Sequence, residues 1–330
     1  MEWLVARMAE RGFRTSVDDA GNAVGEIGEG PSHVVLFGHI DTVPGEIAVR
    51  VEEDDLVGRG AVDAKGPLAA FVAAATKPIA GLRVTVVGAV EEESPTSAGA
   101  RHRATLPAPD WCVIGEPSGW DAVTVAYKGR LAVRVVLSRS ARHGAAPGMT
   151  CSEEALALWS TVRAAAERRT GDTDGFARLD CRLEGMSGGT SDGLVERAEL
   201  RVGYRIPPGI TTAELEAELR VIASEHVGEA TTLVERIGAE EPARTSRATP
   251  LARAFVGAIA DAGGKVTFKV KSGTSDMNIL APAWGCPMVA YGPGDSRYDH
   301  TPIERLSLAD YARSIRVLKS VLARARHPII

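Results

Sequence analysis

Apolar positions recur with helical spacing at the start of the chain, at Trp3, Leu4, Val5 and Met8 within Met1 to Arg11. A short β-branched run follows from His33 to Phe37 and stops at Gly38. The Ala-rich stretch from Pro67 to Thr76, with Pro at its start, predicts a helix. Leu82 to Val90 is dense in Val and reads as a buried strand. Ser97 to Thr105 predicts another helix, and Trp111 to Ile114 another short strand. Strands alternating with helices imply a mostly parallel sheet covered by helices.

The pattern then changes. Val123 to Leu137 alternates apolar and polar residues, which predicts one long half-exposed strand. Glu153 to Arg168 reads as a helix with Ser152 as its N-cap. Phe176 to Leu183 and Leu194 to Ile206 read as strands. Thr212 to Ile222 is an amphipathic helix with Leu215, Leu219 and Ile222 on one face, and Thr231 to Ile237 is a last strand. This β-α-β-β-α-β order is the ferredoxin-like pattern. Helix returns at Leu251 to Ala262, strands at Val266 to Val270 and Pro287 to Tyr291, and a terminal helix at Leu308 to Leu322. The expected organisation is an α/β domain of residues 1–122 and 246–330, interrupted by an α+β domain of residues 123–245.

Composition narrows the class without naming a function. Of 330 residues, 45% are apolar and 25% charged, as in ordinary globular proteins, so a core can form without disulfide or metal staples. The formal charge of −5 gives no nucleic-acid footprint. No apolar run approaches the ~18 residues of a membrane span. Cys112, Cys151, Cys181 and Cys286 lie far apart without a CxxC pair, so they are expected to be reduced thiols of a cytoplasmic protein.

Polar residues gather where strands end, which is where open α/β sheets place their sites. Gly38-His39-Ile40-Asp41-Thr42 follows one strand, Glu91-Glu92-Glu93 another, and Gly115-Glu116-Pro117 a third. Gly58 to Gly66, with Asp63 inside it, precedes the Ala-rich helix, and Tyr298-Asp299-His300-Thr301-Pro302 precedes the terminal one. Any one of these stations reads as solvated surface. Together they supply two histidines and several carboxylates to one domain, the donor set of a mixed nitrogen–oxygen metal site. Competing chemistries are missing their parts. Asp63 occupies the third glycine position of a dinucleotide loop, no GxxxxGK[ST] phosphate loop exists, and Gly273 to Met277 lacks the last glycine of a nucleophile elbow.

In order along the chain these stations read HxDTVP, GRGxxDxKG, an acidic pair before SxxxGxR, GEP and a late His. In this the chain resembles the dinuclear-zinc aminoacylases and carboxypeptidases, including acetylornithine deacetylase and succinyl-diaminopimelate desuccinylase, over nearly its whole length. VEEESPTSAGAR, VIGEPSGWDAVTVAYKGR and KSGTSDMNIL are most similar to the members that free lysine or ornithine from an amino-group carrier protein. The resemblance implies a zinc-peptidase-like catalytic domain with the inserted domain as lid and dimerisation module. It implies two Zn2+, with Co2+ as a substitute. His39 would bind one metal, Asp63 bridge both, Glu116 bind the second, and Glu93 and His300 complete the set. In those enzymes a glycine follows the last acid of the run by six residues, and Gly99 stands six after Glu93. The resemblance therefore implies Glu92 as the general base, Glu93 as the ligand and Glu91 as a bystander, with a shift of one residue as the alternative. Asp41 would orient the His39 imidazole. His143 resembles the lid histidine that supplies an oxyanion donor to a neighbouring subunit's site.

On the substrate side, Arg205 resembles the arginine that grips the amino acid carboxylate, and Gly273, Thr274 and Ser275 resemble a turn beside the pocket. Ala122 to Ser152 contains Lys128, Arg130, Arg134, Arg139 and Arg142, and its first acidic residue comes only after Ser152, so a docking rim for a small acidic carrier is expected. The implied activity is release of lysine, or ornithine, from the side chain of a carrier's C-terminal Glu, by a homodimer that binds neither nucleic acid nor membrane. A deacetylase of N-acetylornithine or another small N-acyl amino acid is the runner-up, because the same site chemistry serves both.

Overall fold

The computed structural model describes residues 1–190, 193–226 and 230–325, which form two compact units. One comprises residues 1–126, 244–270 and 275–325, the other Tyr127–Ala243 with Lys271–Thr274.

The first unit begins with α1 (Glu2–Ala9), β1 (Arg14–Val17), β2 (Ala23–Ile27), β3 (Ser32–His39), β4 (Arg50–Glu52) and β5 (Asp55–Val57). It continues with α2 (Lys65–Ala74), β6 (Leu82–Ala89), α3 (Ala98–Ala104), β7 (Trp111–Ile114) and β8 (Ala122–Tyr127). After the second unit come β13 (Ala243–Arg244), α6 (Pro250–Asp261), β14 (Thr267–Lys271), α7 (Met277–Trp284), β15 (Met288–Ala290), β16 (Arg305–Ser307) and α8 (Leu308–Ala325). The main sheet runs β1-β2-β6-β3-β7-β15-β8-β13, with β14 paired to β8. Its centre, β6-β3-β7-β15, is parallel, and β1, β2 and β8 pair antiparallel at its flanks. The α/β architecture expected from alternating strands and helices is present, but the sheet is mixed rather than mostly parallel, because antiparallel strands flank the parallel centre on both sides. α2 is buried almost all round, and Phe37, Phe71, Phe255 and Tyr291 are fully enclosed. Burying each such ring contributes roughly 1.5–3 kcal/mol.

Strand order decides where chemistry can sit. β6 and β7 flank β3 on opposite sides, so the chain crosses one way after β3 and the other way after β6. The carboxyl ends of β3, β6 and β7 thereby frame a crevice at a topological switch point.

The second unit holds β9 (Gly129–Ser140), α4 (Cys151–Thr170), β10 (Asp180–Thr190), β11 (Val195–Ile206), α5 (Thr212–His226) and β12 (Thr231–Glu240). Its sheet is antiparallel in the order β10-β11-β9-β12. Leu131, Val133, Val135 and Leu137 alternate inward from β9 onto Leu158 and Val162 of α4 and Leu215 and Leu219 of α5. This is the ferredoxin-like order.

Three local expectations change. The long strand over Val123 to Leu137 is two strands, because Lys128 breaks it: its ammonium turns away to Arg178 O and Asp180 Oδ2, at 2.6 and 2.7 Å. α4 is capped by Thr150, not Ser152. Thr150 Oγ1 accepts the Glu153 N–H while Glu153 Oε2 accepts that of Thr150, a capping box that starts the helix at Cys151. The strand expected from Phe176 begins only at Asp180, since Asp174 caps a short 3-10 turn at Gly175–Ala177.

Candidate active site

Within the first unit, the strand-end residues converge. His39 closes β3, Glu92 and Glu93 follow β6, Glu116 follows β7, Asp63 precedes α2, and His300 lies before β16. His39 Nε2 stands 3.2 Å from Asp63 Oδ1, and His300 Nε2 stands 3.0 Å from Asp63 Oδ2 and 3.0 Å from Glu93 Oε1. Asp63 thus offers one oxygen to each imidazole. Ligand atoms of His39, Asp63 and Glu116 lie within 4.8 Å of one another, as do those of Asp63, Glu93 and His300. Glu116 therefore joins His39, a correction to the expectation that it serves the other centre: β3 and β7 are hydrogen-bonded neighbours, so their carboxyl ends open side by side.

Asp41 holds two of these loops together. Its carboxylate accepts the Glu92 and Glu93 N–H groups at 3.3 and 3.0 Å, while its Oδ1 lies 3.6 Å from His39 Nδ1. The Asp41 carbonyl oxygen is 3.1 Å from the same nitrogen. Glu91 is exposed, has φ of 63°, and turns outward to Thr96 Oγ1. That leftward twist in the chain sends Glu92 toward His39 (4.0 Å) and Glu93 toward His300.

Charge is concentrated here. Burial opposes ionisation of His39, yet Asp41 and Asp63 hold its pKa well above the usual imidazole value. Asp63 and Glu93 lift His300 to about 10. Burial raises the Asp63 carboxyl, but hydrogen bonds from His300 and His39 outweigh it and leave the pKa below the usual range. Burial pushes Glu92 up to about 8, helped by Asp276, Glu93 and Asp63 and opposed by His39. Burial likewise raises Asp276 to about 7. The charges acting on these carboxyls come from imidazoles and from other carboxyls. A largely buried cluster of oxygen and imidazole donors with this excess of negative charge fits divalent cations.

Several contributors escape sequence reasoning. Asp276, one residue beyond the expected turn at Gly273 to Ser275, is buried near His39, Glu116 and Asp41. Asn22 is fully buried, accepts the Val90 N–H at 3.0 Å and donates to Gly99 O at 3.2 Å, closing both ends of the Glu92–Glu93 loop. A Cβ on Gly99 would stand 2.3 Å from Asn22 Oδ1, so only glycine permits this closure. Glu304 accepts the Asp63 N–H. Ser275 is buried, with its N–H on Asn278 Oδ1 and its hydroxyl accepting the Met277 N–H.

The remaining expected residues belong to the second unit, with Gly273 and Thr274 in its short second segment. His143 is exposed in the loop after β9, and its Nδ1 accepts the Ala145 N–H at 3.2 Å. Arg205 lies on β11 opposite Arg130 of β9 and Asp180 of β10. Most of the expected basic rim is absorbed internally. Lys128 is buried on Asp180, Arg130 pairs with Glu240, Arg134 with Glu199 and Glu235, and Arg139 with Glu154 and Glu196. Of that stretch, Arg142 stays exposed, bonded to the Pro147 and Met149 carbonyls.

Comparison with known proteins is consistent with this geometry. Residues 35–324 match the model of peptidase family M20/M25/M40. A [LysW]-lysine hydrolase of Deinococcus radiodurans is 44% identical, the alignment covering 96% of this chain and 89% of that protein. A [LysW]-lysine/[LysW]-ornithine hydrolase of Sulfurisphaera tokodaii is 30% identical over 84% and 77%. Among solved structures, the fold is shared with an M20 metallo-carboxypeptidase of Sulfolobus solfataricus (TM-score 0.75, 17% identity, 98% and 93% covered). The di-peptidase Dug1p of Saccharomyces cerevisiae shares it too (TM-score 0.79, 12% identity, 100% and 90% covered). The chain belongs to peptidase family M20/M25/M40, and is a metal-dependent hydrolase of amide bonds.

Proposed function

We propose that this enzyme is a cytoplasmic two-zinc amidohydrolase that releases lysine, or ornithine, from the side chain of the C-terminal Glu of a small acidic carrier protein. The observation that carries the reading is the 44% identity, over almost the full length of both chains, to a hydrolase named for the LysW-linked lysine it acts on.

His39, Asp63 and Glu116 would hold one cation, and Asp63, Glu93 and His300 the other. When bound, such cations lower the pKa of water toward neutrality and polarise a carbonyl. Glu92 then acts as base: its carboxylate takes the proton of the attacking water and returns it to the departing amine. Burial raises the Glu92 carboxyl, and the positive charge of the cations held beside it would oppose that rise and keep it ionised to accept the proton. His143 supports an oxyanion role, because the N–H received at Nδ1 leaves the proton on Nε2 in the neutral ring, which can donate outward. Arg205 would grip the carboxylate of the amino acid, since a planar guanidinium binds a carboxylate through two parallel N–H bonds. The second unit would serve as lid and dimerisation domain, with His143 entering the partner's site.

The test compares carrier-linked lysine with N-acetylornithine on the metal-loaded protein. Preference for the carrier substrate by at least tenfold in kcat/KM supports the reading, and preference for N-acetylornithine overturns it in favour of a small-molecule deacylase. Mixing inactive Glu92→Gln and His143→Ala subunits should restore activity in hybrid dimers. No recovery, once subunit exchange is demonstrated, would rule out the in-trans role.

A further inference from the structure

Asp63 and His300 sit on separate loops, yet one buried ion pair spans both. Glu304 is fully buried and follows His300 on the same loop. Its Oε1 accepts two backbone N–H groups, from Val62 at 2.9 Å and Asp63 at 3.1 Å. Its Oε2 takes Arg59 Nη1 at 2.9 Å. The Arg59 guanidinium also donates to Thr301 O at 3.3 Å and to Gly45 O at 3.0 Å. Glu304 O accepts the Gly58 N–H at 3.3 Å. Immediately outside this knot the two loops become paired strands, Val57 of β5 lying opposite Arg305 of β16.

The two loops are thus locked by a short ladder and then by a charged clamp whose innermost bond is made to the Asp63 peptide itself. We propose that the Arg59–Glu304 pair is a positioning device: it fixes the separation of Asp63 from His300, and so the geometry of the centre that Asp63, Glu93 and His300 would form. It rests on the metal-binding reading above. The alternative is a pair that only stabilises the fold. The geometry favours positioning, because a carboxylate serving stability alone has no reason to spend both N–H bonds on the residue that bridges the site and its neighbour. A carboxylate accepting backbone N–H groups fixes that backbone strongly, and His300, at φ of 60°, has a backbone that its surroundings must hold in place.

Co2+ is the probe, since its visible absorption reports ligand geometry and its binding is read without turnover. Three variants are titrated beside the parent: Glu304→Gln, Arg59→Met, and Val317→Ala, a core truncation in α8 that controls for lost stability. Glu304→Gln should weaken Co2+ binding 10–100-fold and alter the absorption spectrum. Arg59→Met should act in the same direction, because Oε2 then loses the cation that holds the carboxylate in place; it carries the test if Glu304→Gln does not fold. Val317→Ala should lower Tm with affinity and spectrum unchanged. If Arg59→Met and Glu304→Gln behave like Val317→Ala, the pair is purely structural and the proposal fails while the metal reading stands. If the parent does not bind Co2+, both fail together.

Discussion

The two units treat charge in opposite ways. In the second, basic and acidic side chains are matched across strands and helices: Arg134 lies between Glu199 and Glu235, Arg139 between Glu154 and Glu196, and Glu216 between Arg220 and Arg236. In the first, Asp41, Asp63, Glu92, Glu93, Glu116 and Asp276 crowd around two histidines. Matched charge is neutral in sum and leaves little for a ligand to do. Unmatched buried charge is unfavourable unless something else supplies the opposite sign. The difference teaches that a count of charged residues says little about function, while the local balance of sign under burial says a great deal.

The largest expected effect tests whether the first unit's excess charge divides into base and ligands. Glu92→Gln should retain metal and lose ~10²–10⁴ in kcat. Glu93→Gln should instead lose metal from the centre shared with His300. Metal analysis beside kinetics checks both, and the reverse pattern would show that the acidic run is read one residue out of frame.

Next is the most deeply buried cation among the second unit's ion pairs. Lys128→Met should destabilise the protein by on the order of 3 kcal/mol, because Asp180 and the Arg178 carbonyl lose the fully buried ammonium that both hold. Urea denaturation measures it. A loss under 1 kcal/mol would mean that matching in this unit is incidental to its stability.

A smaller effect follows pH. His33 on β3 is held near pKa 4, mainly by burial and then by Arg83, and its Nε2 bonds Thr85 Oγ1 at 2.9 Å. The folded pKa lies below the unfolded value near 6.5. The unfolded chain therefore takes up a proton at His33 between pH 6.5 and 4 while the folded one does not, and stability falls as pH falls through that window. His33→Gln should flatten this part of the acid limb, seen as a smaller difference between urea midpoints at pH 7 and pH 4.5.

The smallest effect is expected at matched but exposed charge. Arg163 and Glu167 pair at 2.9 Å on α4 with both side chains more than half exposed. Arg163→Ala should change stability by no more than about 0.5 kcal/mol. A larger loss would show that exposed pairing in the second unit is stronger than its solvation allows.

Much of the fold was legible because it is written in local periodicity: Leu82 to Val90 could hardly be anything but a buried strand, and β6 occupies Leu82–Ala89. The metal-type cluster was legible because its members sit at strand ends, where a short motif such as His39-Ile40-Asp41 carries both chemistry and position. The basic stretch misled because the partners of Arg134 lie 65 and 101 residues away in sequence and become neighbours only through strand register. The break at Lys128 was hidden for the same reason, since alternation continues through a residue whose side chain answers to Asp180.

The sequence by itself determined which residues have the chemistry and which segments are strands or helices, because donor type, apolar period and turn residues are properties of a few neighbouring positions. Tertiary structure alone decided which donors stand together. It put Glu116 with His39, through the pairing of β7 with β3, and it brought Glu304 to the Asp63 peptide and Asn22 to both ends of the Glu92 loop. Those are distances between residues far apart in the chain, and they are set by the order in which strands lie side by side. The ionisation of the site is decided the same way, since Glu92 rises to about 8 only once folding has removed it from water and set other carboxyls around it.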